Sequence, residues 1–147
     1  MTNIDIPVVV NKLELISRYL ISLKRFEQIS LNEYLNDFDK QLIVERLLQL
    51  MIQAAIDIND HILSRMNIVT SRRSNFEAFI ELSKCGVLTP ELAGRLAQSA
   101  GLRNRLVHEY DDIDSSQVFR AINFALQQYP IYVQQVNAYL NSLDTIL

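Results

Sequence analysis

Val44-Glu45-Arg46-Leu47-Leu48-Gln49-Leu50-Met51-Ile52-Gln53-Ala54-Ala55-Ile56-Asp57-Ile58-Asn59-Asp60-His61-Ile62 repeats its apolar side chains at helical spacing, through Val44, Leu47, Leu48, Met51, Ala55, Ile58 and Ile62. At about 100° per residue these positions form one stripe along a helix, whereas a half-buried strand would need strict alternation. Asp37 or Asp39 is placed to start or restart this helix, which is expected to reach about Arg65.

The flanks extend the same pattern. Val9, Leu13, Ile16, Leu20 and Leu23 recur at spacings of 4, 3, 4 and 3, so a first helix is expected from Asp5 or Pro7 to Glu27. Ser30 with Glu33 and Ser74 with Glu77 have capping-box spacing. The second pair opens a short helix through Phe76, Phe79, Ile80 and Leu82 that Gly86 can end in a left-handed conformation. Between the second and third helices, Asn67 to Ser74 reads as a polar loop. Thr89-Pro90-Glu91 combines a cap, a proline at the first helical position and an acid in the first turn. Gly94 and Gly101 inside that fourth helix weaken it and suggest close approach of another backbone. After the turn Asp111-Asp112-Ile113-Asp114, a last helix buries Val118, Ile122, Ala125, Tyr129, Tyr132, Val136 and Leu140, with Pro130 expected to break or kink it. The sum is an all-α, antiparallel bundle of about five helices in a single domain spanning residues 1–147.

Composition fits that class. Of 147 residues 49% are hydrophobic, with only three glycines and three prolines, which suits helices joined by short turns. Apolar runs fall far short of the roughly 20 residues that span a bilayer, and no signal-peptide pattern opens the chain, so a cytoplasmic protein is expected. Cys85 is the only cysteine, which excludes an internal disulfide and a cysteine-based zinc site. The net charge is −3, but from Arg65 to Arg105 there are seven basic and three acidic residues, a net of +4. The remainder holds seven basic and fourteen acidic residues, a net of −7. A basic middle attracts phosphate while an acidic remainder limits indiscriminate adhesion to RNA.

Within the basic stretch lies Arg103-Asn104-Arg105-Leu106-Val107-His108-Glu109-Tyr110. Arginine grips phosphate with a planar pair of donors, and histidine moves protons near neutral pH. The 2′-hydroxyl of RNA can attack its own neighbouring phosphate, so a catalyst needs only proton transfer and charge stabilisation; no metal or other cofactor is required. On a helix Asn104 and His108 share a face, but Arg103 and His108 diverge by about 140°. Either the arginine wraps round, or the helix loosens before His108, or two copies of the motif face each other across a two-fold axis. A structural role is also open, in which Arg103, Asn104 and His108 cap the helix and bind the acidic turn.

At these residues the chain resembles the HEPN superfamily of ribonucleases, and more closely its HepT-type toxins. Arg103, His108 and Tyr110 match that family's pattern of Arg, four residues, His, one residue, Tyr. Glu45-Arg46-Leu47-Leu48-Gln49, Ala54-Ala55-Ile56-Asp57 and His61 resemble its long second helix, and Phe79 through Leu88 the segment before its motif helix. The resemblance implies a HEPN bundle acting as a homodimer, with paired motifs in the dimer cleft and metal-independent endoribonuclease activity. Arg103 would hold the scissile phosphate, His108 would transfer protons and Asn104 would help orient them. It also implies a partner, a minimal nucleotidyltransferase antitoxin of the MntA kind that transfers AMP to Tyr110.

Arg72, Arg73, Arg95 and Arg105 are candidate contacts to an RNA backbone, although scattered arginines on a bundle are commonly just solvated. Asp57 and His61 lack the companion ligands of a metal site and read as an ion pair or buried polar contact. Tyr19, Tyr34, Tyr129, Tyr132 and Tyr139 fit helix faces as packing residues. The competing function is a non-catalytic HEPN module that binds a nucleotide or small molecule for a nucleotidyltransferase partner; a purely structural dimerisation domain leaves the octapeptide unexplained.

Overall fold

Side-chain caps start the helices close to where the sequence places them. The computed structural model describes residues 3–68 and 74–144, the side chains of Tyr110 and Asp144 excepted. Asp5 accepts from the Val8 amide and opens α1, Ile6–Lys24. Asp37 accepts from the Lys40 amide and opens α3, Phe38–Arg65. Ser74 does the same for α4, Asn75–Lys84, through the Glu77 amide, and Thr89 for α5, Pro90–Ala97, through the Leu92 amide. Each cap satisfies an amide that the first turn would leave without a partner. Asp114 takes the Ser116 and Gln117 amides ahead of α7, Ser115–Asp144.

Five expected helical segments are present, with two refinements. Ser30 and Glu33 open a separate five-residue helix, α2 (Leu31–Leu35), ahead of the long one. The fourth segment divides at Gln98 into α5 and α6, Ser99–His108. Gln98 keeps helical angles, but the Ser99 hydroxyl donates to the Leu96 carbonyl at 2.5 Å and the Gly101 amide to the Gln98 carbonyl at 3.2 Å. A serine that bonds back to the preceding turn competes with the helix ladder and loosens it. Neither glycine admits a neighbouring backbone: nothing stands within 4 Å of a β-carbon at Gly94, and at Gly101 only the Arg105 guanidinium does, at 3.4 Å.

Ends are equally local. Asn67, at φ 61, terminates α3 with the Ile68 amide bonded to the Leu63 carbonyl, and Gly86, at φ 80, does so for α4 with the Val87 amide on the Leu82 carbonyl. α1 stops at Lys24, three residues before the expected Glu27. Pro130 does not break α7. A proline removes one ladder bond, and the fully buried Tyr129 and Tyr132 on either side hold the helix against the core. Phe76 is the one member of the expected α4 face left exposed.

α3 runs through the middle of the molecule, packed against α1, α2, α4, α6 and α7. The Asp5 amide meets His61 and Lys12 meets Asp57, so α1 is antiparallel to α3. Tyr34, in α2 just ahead of α3, packs at a tilt against Phe119 near the start of α7, while the Tyr132 hydroxyl donates to Asn59 toward the far end of α3 at 2.7 Å, so α3 and α7 run in the same direction. The intervening α4, α5 and α6 carry the chain back between them. All seven residues expected on the buried stripe of α7 are buried, as are Val44, Leu48, Met51, Ala55, Ile58 and Ile62 of α3. Tyr34, Tyr129 and Tyr132 are core residues, and Tyr19 and Tyr139 pack against them at the margin. Among the described residues no helix is long and apolar enough to cross a membrane.

Asp57 and His61 serve the α1–α3 joint. Asp57 takes Lys12 Nζ at 3.1 Å and Gln53 Nε2 at 2.8 Å, and His61 Nε2 accepts from the Asp5 amide at 3.0 Å. Accepting requires a neutral ring, and burial, reinforced by Arg65, lowers the His61 pKa from its usual value. The unfolded chain therefore takes up this proton at higher pH than the native one, and stability falls as pH drops through that interval. Urea unfolding of wild type should weaken from neutral pH toward the lower folded value, whereas His61→Gln, which keeps an acceptor but does not titrate, should lose less over the same range.

Candidate active site

α6 carries the octapeptide, and its rotation is fixed by two leucines. Leu102 and Leu106 are buried against the core, so the arginines flank them and the opposite face turns to solvent. Arg103 and Arg105 are half-buried, Asn104 and His108 exposed. The helix stays regular through His108 and closes with the Glu109 amide on the Arg105 carbonyl at 2.9 Å. Helix loosening before His108 is therefore not how the motif resolves its 140° divergence.

Arg103 Nη1 donates to Asn104 Oδ1 at 3.2 Å, which ties the amide to the guanidinium as a pair. Arg103 Nε and Arg105 Nε are shielded from solvent and have no hydrogen-bond partner. Among the described residues neither arginine forms an ion pair, and neither Arg103 nor His108 bonds to the acidic turn. The structural alternative, in which these side chains cap the helix and hold that turn, is not what they do. Instead the turn organises itself: residues Tyr110–Asp112 form one 3-10 turn, with the Asp112 amide on the Glu109 carbonyl. The Tyr110 side chain, and Arg72 and Arg73 altogether, lie outside the described residues. Among those described, no group of three or more His, Cys, Asp or Glu residues is arranged to hold a metal ion.

α6 is held from behind by a buried hydrogen bond. Ser99 directs its single proton to the Leu96 carbonyl, so the Tyr129 hydroxyl donates to Ser99 Oγ at 2.8 Å. Burial pushes the Tyr129 phenol well above its usual range and keeps it a donor. Beyond this contact a gap opens between α6 and the first turns of α7. The gap is a cleft of about 350 Å³ that includes Arg105, Gln117, Arg120 and Phe124. Sequence reading passed over the α7 members. Their spacing of 3 and 4 along one helix face was the available signal, but it shows only a shared face and not what that face opposes.

A solved structure of tri-AMPylated Shewanella oneidensis HEPN toxin in complex with MNT antitoxin aligns with TM-score 0.77 over 94% of this chain and 99% of that chain, at 24% identity. The fold is thus a HEPN-type helical bundle. Residues 16–136 match the family described as ribonuclease HepT-like, and the chain belongs to that family. A protein of Aphanizomenon flos-aquae (strain 2012/KM1/D3) named tRNA nuclease HepT is 65% identical over 144 residues, 98% of this chain and 97% of its own length. The mRNA nuclease HepT of Shewanella oneidensis is 27% identical over 133 residues, 89% of this chain and 97% of its own.

Ser99→Ala deletes the acceptor of a buried phenol and should destabilise the protein by about 1–3 kcal/mol. Tyr129→Phe leaves the Ser99 hydroxyl its Leu96 partner and should cost less, about 0.5–1.5 kcal/mol. In guanidinium unfolding the double variant should fall short of the sum, by the coupling of this one bond.

Proposed function

We propose that this chain is a metal-independent endoribonuclease, a single HEPN domain of residues 1–147 that acts in the cytoplasm as the toxin of a toxin–antitoxin pair. The observation that carries it is that Arg103 and His108 lie on a regular helix and, among the described residues, neither is paired with a carboxylate, in a chain of the ribonuclease HepT-like family. The relative at 65% identity is named a tRNA nuclease, which favours transfer RNA over messenger RNA as substrate.

The 2′-oxygen of the RNA attacks the adjacent phosphorus, the 5′-oxygen leaves, and a 2′,3′-cyclic phosphate results. His108 moves the proton that this exchange requires. Arg103, oriented by Asn104, neutralises charge growing on the non-bridging oxygens. Because Arg103 and His108 diverge on one helix, a site containing both draws them from two copies related by a two-fold axis, so the active form is a homodimer. Arg72, Arg73 and Arg105 contact the RNA backbone.

Control comes from an MntA-like nucleotidyltransferase antitoxin. The Tyr110 phenol oxygen attacks the α-phosphorus of ATP, pyrophosphate leaves and the phenol proton passes to solvent. Each AMP adds a negative phosphodiester beside the arginines that would hold RNA. A HEPN toxin from Shewanella oneidensis is tri-AMPylated in complex with its antitoxin.

Protein unmodified at Tyr110 should cleave transfer RNA in EDTA and leave 2′,3′-cyclic ends, with His108→Ala lowering the rate roughly 10²- to 10⁴-fold. Tight nucleotide binding with all RNAs left intact would instead favour a non-catalytic module. Arg103→Ala and His108→Ala proteins, each inactive, should regain about a quarter of wild-type activity when dissociated and reassembled together. Half the dimers then carry one intact Arg103–His108 pair; a site confined to one chain would regain nothing.

A further inference from the structure

The cleft between α6 and the first turns of α7 is lined by Gln98, Leu102, Arg105, Gln117, Arg120 and Phe124, among others, and among the described residues no carboxylate lines it. Two guanidiniums thus share a space of about 350 Å³ without a counter-ion, and neither has an ion-pair partner among the described residues. Arg105 is folded back along its own helix across Gly101, where a β-carbon would come within 3.4 Å of Nη1. Its Nε is shielded from water and has no acceptor. A guanidinium nitrogen shielded from water without an acceptor is costly unless an anion or another acceptor completes it.

On α6 the cleft ends at Arg105, one turn before the proposed proton-transferring residue. Arg105 and His108 are three residues apart, roughly 60° around α6, whereas Arg103 and His108 differ by about 140°. Within one chain, Arg105 is therefore the motif arginine that shares a face with His108. Buried Leu102 and half-buried Phe124 give the cleft apolar lining, and Gln98 and Gln117 line it as well. Cations for phosphate, a flat ring for a base and amides for base edges are the parts of a single-stranded nucleotide site.

We infer that this cleft is an RNA subsite holding the nucleotide next to the scissile phosphodiester, with Arg105 and Arg120 on its phosphate and its base against Phe124. The assignment rests on the ribonuclease reading above and adds a place where the strand is gripped outside the reacting bond. Arg120 and Phe124 belong to α7 and position the strand; they do not touch the reacting atoms.

The test measures binding of a short single-stranded RNA, made uncleavable by a 2′-O-methyl group at the cut position, across a range of salt. Arg120→Gln, an exposed substitution, should weaken binding about tenfold and lower the salt slope by about 0.7, as for one lost phosphate contact on a single strand. Phe124→Leu should weaken binding about fivefold or more while leaving the slope unchanged, since it removes a stacking surface and no charge. Unchanged affinity and slope in Arg120→Gln, with wild type still cleaving and His108→Ala inactive, would overturn the subsite while the nuclease stands. A change in sedimentation of Arg120→Gln toward monomer would also overturn it, by making the cleft an interface between copies. Failure of unmodified wild type to bind or cleave any RNA would remove the ribonuclease reading and this one together.

Discussion

The burial of Leu102 and Leu106 is the constraint on which the candidate site depends. With both leucines in the core, the rotation of a ten-residue helix is set, and so is the direction of every polar group on it. Turning α6 far enough to change which of its polar groups face solvent would expose both, at about 1.5–3 kcal/mol for each leucine. The helix is also tied from behind, because Ser99 accepts from the buried Tyr129 hydroxyl. Arg103 therefore leaves on one side, Arg105 on the other, and His108 faces solvent between Arg105 and the outward side. Geometry at the level of one helix is what motivates the proposed pairing of two copies at the site.

The rest of the bundle serves to hold that helix. Tyr132 donates to Asn59 and joins α7 to α3, and Tyr129 joins α7 to α6, so two phenols one turn apart tie three helices. Burial holds both phenols far above their usual range, which makes them dependable donors across physiological pH. A second polar set, Asp5 with His61 and Lys12 with Asp57, fixes α1 against α3 on its other side. Apolar packing supplies most of the stabilisation, but it tolerates sliding; the directional bonds remove that freedom.

Periodicity and caps made most of the fold legible in the sequence, because both are local. Asp37, Ser74, Thr89 and Asp114 satisfy amides two or three residues away, and the stripes of α3 and α7 follow from 3.6 residues per turn. What escaped was non-local or depended on competition. Ser99 divides the fourth helix through a bond whose strength depends on Tyr129, thirty residues on. Pro130 is absorbed because its neighbours are anchored in a core that no short window reveals. Gly101 was read as room for a backbone, when the group that lies over it is a guanidinium from its own helix. The motif residues were visible as a string, but whether they were engaged by the acidic turn or left open required coordinates. For Arg120 the spacing showed only a face shared with Gln117 and Phe124, since its place in the cleft depends on Arg105 of another helix.

Charge placement connects these observations. Most of the chain is acidic, yet α6 brings two arginines to the surface with shielded nitrogens that nothing in the described protein satisfies. Guanidinium is the weakly hydrated cation best suited to wait in such a setting, and its planar donors match a phosphate better than they match water. Cleavage by the RNA's own hydroxyl asks the protein for no reactive group of its own, only for fixed positive charge and one mobile proton. Under the proposed mechanism, a scaffold that sets its arginines on both sides of a helix and its histidine between them would supply both. It does so in a form that a single covalent phosphodiester nearby could neutralise, since the charges that attract the substrate are the same charges that would hold the modifying group.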